Sequence, residues 1–272
     1  MRVISRVTIS YAHDKLESRS MNDRTSAVGH SRRERLHARL FTEKRVLTVD
    51  AKKRLLVLAA VMVATGALAL GFLWWAVLQP SVLEPMDTAV QAWLKSQQTE
   101  SLTVLMVVFT EVFGPIALPI IVLVVTLTWG IRAEHSWRPF VLAAGTLSGV
   151  IIVQIITRVV QRDRPPVDLM LYGPDMTFSF PSGHVLGVAD FFLILTFLVF
   201  SRRRAPWIAA LAYVVAVVFV IGTALSRLYL GYHWTSDVLA SMALSLVVVG
   251  SVIAIDTHRT ARVPAETESA TL

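Results

Sequence analysis

Cysteine is absent from this sequence, so disulfides, thiolate nucleophiles, zinc–thiolate sites and iron–sulfur clusters are excluded by inventory. Charge is scarce as well: Asp, Glu, Lys and Arg make up 17% of 272 residues against 54% hydrophobic, with a mean hydropathy of +0.60. A water-soluble domain of this size could not hide so much apolar surface in one core, and the chain reads as a membrane protein. The first fifty residues lack any long apolar run and are polar and basic, from Arg2 and Arg6 through Arg32, Arg33 and Arg35 to Lys52, Lys53 and Arg54. The first apolar stretch starts only at Leu55 and carries no small-residue cleavage site, so residues 1–53 are expected to be a disordered cytoplasmic tail, not a signal peptide.

Six apolar segments are long enough to cross a bilayer, near Leu55 to Leu78, Leu102 to Trp129, Phe140 to Ile156, Val185 to Phe200, Trp207 to Leu225 and Val238 to Ile255. The expected fold is therefore all-α, a polytopic bundle of six transmembrane helices over residues 54–256 with a cytoplasmic tail at 257–272. Between the first two spans, Met86, Val90, Trp93 and Leu94 form a helical apolar stripe, which reads as a short interfacial helix anchored by Trp93. In the second span Gly114, Pro115 and Pro119 predict a kink, and Glu111 is a carboxylate expected to be buried. Either an arginine partner or a helix-packing hydrogen bond would satisfy it.

The net charge of +7 and pI near 10.1 do not point to nucleic acid, because the basic residues follow membrane topology. With the amino terminus inside, the outer loops hold only Lys95, Arg158, Arg162, Arg164 and Arg227, while all others of the 26 Lys and Arg lie on the inner face. Both termini are thus expected in the cytoplasm. Four of the five outward basic residues sit in two short stretches beside outer span ends, where an anion site would lie.

Three segments carry chemistry. Pro181-Ser182-Gly183-His184 directly precedes an apolar helix, whose free backbone N–H groups and positive dipole end suit phosphate. Gly183 allows close backbone approach, Ser182 supplies a hydroxyl and His184 stands beside the anion, although helix capping alone would also explain Ser and Gly. In the stretch from Ser226 and Arg227 to Asp237, His233 and Asp237 are four residues apart. On the opening turn of a helix that spacing puts them on one face, where the carboxylate orients the imidazole and leaves its other nitrogen basic. A pair of interfacial polar residues satisfying each other is the plain alternative. The third segment, Arg158, Arg162, Asp163, Arg164 and Pro165-Pro166, offers guanidinium forks that match phosphate oxygens.

Taken together, the three segments resemble the signature of the type 2 phosphatidic acid phosphatase and vanadium haloperoxidase superfamily. That signature is Lys, six residues, Arg-Pro; then Pro-Ser-Gly-His; then Ser-Arg, five residues, His, three residues, Asp. The second and third segments match fully, and the first matches at Arg164-Pro165, with Thr157 where the pattern has Lys. Arg158 is the adjacent cation and a candidate replacement, although one residue turns a helical side chain by roughly 100°; Arg162 is a second. The resemblance covers Leu55 to about Ile255, and six spans place the chain in the membrane lipid-phosphatase branch.

The resemblance implies a metal-independent phosphatase without cofactor, with His233 as nucleophile, Asp237 orienting it and His184 protonating the leaving group. Arg164, Arg227, Ser182 and Gly183 would bind the phosphoryl oxygens, with Arg158 in support. The expected substrate is a lipid phosphate or diphosphate presented in the outer leaflet of a bacterial plasma membrane: a polyprenyl diphosphate first, then phosphatidate or phosphatidylglycerol phosphate. A lipid phosphotransferase would use the same residues, and a catalytically impaired lipid-binding protein is the alternative of another class.

Overall fold

The computed structural model describes residues 45–202 and 205–263. The arginines at 32, 33, 35, 203 and 204, and most of the basic tail, lie outside the described residues. Among the described residues eight α-helices follow one another: α1 Val49–Val77, α2 Pro80–Ser96, α3 Glu100–Val112, α4 Ala117–Arg132, α5 Trp137–Val160, α6 Gly183–Phe200, α7 Pro206–Tyr229 and α8 Thr235–Thr260. Two short parallel strands, β1 Arg45–Val46 and β2 Ala261–Arg262, pair the first and last described segments.

Five helices, α1, α5, α6, α7 and α8, are long and apolar enough to cross a membrane. A sixth span results if α3 and α4 count as one, bent by 49° at their break. The break falls at Phe113–Gly114–Pro115, where the sequence places its glycine and proline. The remaining helix, α2, starts at a proline, as suits a first helical turn whose N–H needs no partner.

The apolar side chains face two environments. Leu68, Leu123, Ile131, Val159 and Trp207 are exposed on the outside of the bundle, as suits a lipid-facing surface. The inner core gathers around α6 and α8, whose Leu186, Val188, Ile194, Leu198, Leu244 and Val249 are buried. Helices α1 and α8 pack so closely that a Cβ on Gly66 would lie 2.5 Å from the Ala243 carbonyl oxygen, and one on Gly250 2.9 Å from that of Ala59.

At the end of the bundle that carries β1 and β2, Asp256 is fully buried and accepts hydrogen bonds from Trp137 Nε1 at 3.0 Å and Arg202 Nη2 at 2.9 Å. Arg45 Nη2 approaches the same carboxylate at 3.6 Å. The helix ends that carry the signature segments, the end of α5, the start of α6, the end of α7 and the start of α8, meet at the opposite end.

One expectation needs correction: Glu111 is exposed, and its neighbour Thr110 is the residue that faces inward. The outside of this bundle is itself apolar, so hydropathy does not tell which face of a span meets the core. In α2 the buried residues are Leu83, Asp87 and Leu94, with Val90 half-buried, while Met86 and Trp93 of the apolar stripe are exposed.

Candidate active site

The loop between α5 and α6 brings Arg164 to His233. After the left-handed turn at Gln161 (φ 52°), the chain leaves α5 and doubles back, with Ser179 N–H donating to the Arg162 carbonyl at 2.9 Å. All five N–H groups of Arg164 find acceptors. Nε donates to the Thr177 carbonyl (3.0 Å), Nη2 to Thr177 Oγ1 (2.8 Å) and to Asp175 Oδ2 (3.0 Å), and Nη1 to the Tyr232 carbonyl (2.6 Å) and His233 Nε2 (3.2 Å). Burial acts to raise the Asp175 carboxyl, but the Thr177 hydroxyl and amide and the Arg164 charge outweigh it and hold the group below its usual range.

His233 stands on the turn before α8, not on the helix itself, with Trp234 as the capping residue. Arginine has no acceptor, so its contact assigns the lone pair to Nε2 and the proton to Nδ1. Nδ1 faces Asp237 Oδ2 at 3.5 Å. The ring is 2% exposed. Burial, with the Arg227 and Arg164 charges acting in the same direction, pushes its pKa well below the usual imidazole value, so the neutral form prevails at neutral pH. Asp237 also caps α8, accepting the Trp234 N–H at 2.9 Å through the same oxygen that faces His233.

The turn from α7 to α8 depends on Gly231, whose φ of +78° and whose Cα lie where a Cβ would stand 2.1 Å from the Leu169 carbonyl oxygen. This turn folds Tyr232 over Arg227, with the guanidinium 4.2 Å from the ring centroid. Arg227 is buried at the end of α7, and its Nη1 donates to Thr110 Oγ1 at 2.6 Å, tying the broken span to the site. His184, on the first turn of α6, lies against the same break: a Cβ on Gly114 would be 3.7 Å from its Nε2.

Capping does not explain Ser182. It occupies the N-cap position of α6, yet its hydroxyl makes no capping bond and is buried without a partner. Arg227 Nε and His233 Nδ1 are likewise buried without a hydrogen bond. Gly183 is exposed, with open space where a Cβ would be. Nδ1 is turned to Asp237, but the Ser182 hydroxyl and Arg227 Nε are two unspent donors beside a helix N-terminus, and with Arg164 they fit a tetrahedral oxyanion.

The structure thus gathers Arg164, Ser182, Gly183, His184, Arg227, His233 and Asp237 at one end of the bundle. It does not bring Arg158 there: that side chain is exposed on the last turn of α5. Arg162 takes another role, with Nη1 at 2.5 Å from Asp237 Oδ1 and Nη2 at 2.7 Å from Asp87 Oδ2. Sequence reasoning missed Asp87, Thr110, Asp175 and Thr177. Only Asp87 left a signal, an acidic residue in register with Leu83, Val90 and Leu94. A cleft of about 400 Å³ opens beside Arg164, walled by Ala76, Val77, Leu83 and Trp234 and rimmed by Asp87 and Arg162.

Residues 138–261 match the model of the PAP2 superfamily, a stretch that holds all three signature segments but neither Asp87 nor Thr110. Phosphatidylglycerophosphatase B of Bacillus subtilis is 28% identical over 98 residues, which span 35% of this chain and 46% of that relative's own length. Undecaprenyl-diphosphatase BcrC of the same organism is 29% identical over 56% of this chain and 74% of its own. Among solved structures, the transmembrane PAP2-type phosphatidylglycerolphosphate phosphatase from Bacillus subtilis superposes with a TM-score of 0.63 at 20% identity, covering 71% of this chain and 96% of that one.

Proposed function

We propose that this chain, which belongs to the PAP2 superfamily through residues 138–261, is an integral-membrane lipid phosphatase working through a phosphohistidine on His233. The observation that carries this reading is a contact: Arg164 Nη1 lies 3.2 Å from His233 Nε2, the nitrogen turned away from Asp237, and a guanidinium can only donate, which keeps the lone pair on Nε2. A neutral, buried imidazole with its proton directed at a carboxylate is a poised nucleophile.

In the proposed reaction Nε2 attacks the terminal phosphorus while its bond to the leaving oxygen breaks, the bridging oxygen of a lipid diphosphate or the ester oxygen of a lipid monophosphate, and protonated His184 gives its proton to that oxygen. Water then attacks phosphorus, His184 takes up the water's proton, the P–N bond breaks and inorganic phosphate leaves. Arg164 has all its N–H groups engaged, so an arriving phosphoryl oxygen takes over the Nη1 donor that now covers Nε2. That exchange uncovers the nucleophile and places a cation on the developing charge in one movement. Arg227, Ser182 and the Gly183 amide hold the remaining oxygens. No metal has a role in this scheme.

The distribution of Lys and Arg supports a cytoplasmic position for both termini and an extracytoplasmic site. The apolar wall of the cleft beside Arg164 suits the first part of a lipid tail still held in the bilayer. The preferred substrate class is a polyprenyl diphosphate, with phosphatidate and phosphatidylglycerol phosphate next. The test is phosphate release from a panel of these lipids in detergent with EDTA present, comparing the wild type with His233→Ala. Release by the wild type alone is expected; unchanged release by the variant, or abolition by EDTA, rejects the mechanism. Transfer of label to an acceptor lipid, in place of free phosphate, would make the enzyme a phosphotransferase.

A further inference from the structure

Asp87 belongs to α2, outside the stretch that matches the family, and is 2% exposed. Both of its oxygens are engaged. Oδ1 accepts the Ser236 N–H at 2.9 Å, and Oδ2 accepts the Ser236 hydroxyl at 2.6 Å and Arg162 Nη2 at 2.7 Å. The other arm of Arg162 donates to Ser236 Oγ at 2.6 Å and to Asp237 Oδ1 at 2.5 Å. One guanidinium therefore bridges two buried carboxylates, and the second of them faces His233 Nδ1 at 3.5 Å.

The charge arithmetic gives this bridge a consequence. If Asp237 were the sole counter-ion of Arg162, the pair would be neutral and little negative charge would face the imidazole. With Asp87 on the other arm, the triad of Asp87, Arg162 and Asp237 carries a net negative charge. A low-dielectric surrounding makes that difference count. The oxygen of Asp237 that remains, Oδ2, is the one turned to His233. A helix that merely needed anchoring would be served by any buried hydrogen bond; this anchor is placed on the partners of the reacting histidine.

We propose that Asp87 is a positioning residue for the reaction: through Arg162 and Ser236 it fixes Asp237 against His233 and preserves the negative charge that supports the phosphorylated imidazole. The proposal rests on the reading of His233 as nucleophile. It makes α2 part of the working site, so that the seating of this helix sets the competence of the histidine.

The groups facing His233 are Arg164 and Asp175 from the loop, His184 from α6, Arg227 from α7, Tyr232 beside it and Asp237 from α8. Of these, only Asp237 touches Arg162, so changes at Asp87 or Arg162 reach His233 through that carboxylate and through the charge of the bridge. Removing the Asp87 charge leaves Arg162 less compensated, which disfavours the imidazolium; the acid limb of kcat/KM, where His233 takes up its proton, then moves to lower pH. Removing the Arg162 charge does the reverse.

The experiment measures phosphate release from detergent-solubilised undecaprenyl diphosphate, or from phosphatidate if that lipid turns over faster, by purified full-length protein across pH. Asp87→Asn is expected to lower kcat by about 10- to 100-fold, the usual effect of removing a residue that orients a reacting group, with KM held within about threefold. Its acid limb moves down and that of Arg162→Gln moves up, a pair of opposite shifts that loss of packing would not produce. Asp87→Glu, which keeps the charge, returns the limb to its wild-type position. If Asp87→Asn does not survive extraction, Arg162→Lys decides: it keeps the charge and loses the two-armed fork, so kcat falls while the limb stays. Unmoved limbs with kcat within about twofold of the wild type, or an Arg162→Lys enzyme indistinguishable from it, overturn the proposal so long as His233→Ala is inactive. An active His233→Ala enzyme overturns the underlying reading instead.

Discussion

Both ends of this bundle bury carboxylates among arginines, and the two clusters differ in what stands beside the carboxylate. At the end with β1 and β2, Asp256 is a hub that collects Trp137, Arg202 and Arg45. At the other end, Asp237 divides its oxygens between Arg162 and a neutral His233, while Arg227 Nε and the Ser182 hydroxyl stay unspent. The first arrangement ties β1, the start of α5 and the segment after α6 to α8; the second holds donors and a lone pair ready for an anion. A buried arginine–carboxylate cluster is therefore not by itself the mark of a reaction centre. What sets the second cluster apart is an imidazole beside the carboxylate whose Nε2 faces Arg164 at 3.2 Å, next to a helix N-terminus whose Ser182 hydroxyl makes no capping bond.

The comparison breaks most severely at His233. Its change to Ala should lower kcat by about 10⁴-fold or more in a phosphate-release assay, as loss of a nucleophile does, while the protein still extracts as a monodisperse species. Next come the cations: Arg227→Gln should cost about 10²- to 10³-fold in kcat, the range for a lost donor to a developing oxyanion. Because Arg227 holds the His233 pKa down, this variant also moves the acid limb of kcat/KM upward, from a wild-type position below the usual imidazole value of 6.5.

At the opposite end the signature reverses. Asp256→Asn leaves Arg45 and Arg202 without the carboxylate they share and should lower stability by about 3–5 kcal/mol. A thermal melt in detergent reads that loss, and activity per folded molecule should stay within about twofold of the wild type. Smallest is Arg158→Ala, which removes an exposed side chain; kcat and KM should both change by less than about twofold.

The histidine segments were legible because each packs its chemistry into a few adjacent residues. Pro181 to His184 opens a helix, and the turn from Arg227 to Asp237 closes on itself, so neighbours in sequence are neighbours in space. The break at Gly114 and Pro115 was legible for the same reason. Asp87 and Arg162 were not, since 75 residues separate the two members of that ion pair and hydropathy says nothing about which face of a short helix meets a polar cluster. Glu111 and Thr110 show the same weakness: where the exterior is as apolar as the core, an amphipathic pattern does not tell inside from outside. The missing lysine at Thr157 drew attention to Arg158, but the adjacent position on α5 points away from the site.

The central claim is a covalent bond between phosphorus and His233 Nε2. Rapid-quench labelling with a ³²P-labelled lipid diphosphate, followed by peptide mapping, addresses it directly. The account expects an acid-labile, alkali-stable label on the peptide that contains His233, formed with EDTA present, released by water during turnover and absent from His233→Ala. Label on any other residue, or full turnover by the wild type with no labelled protein at the earliest times, would contradict it.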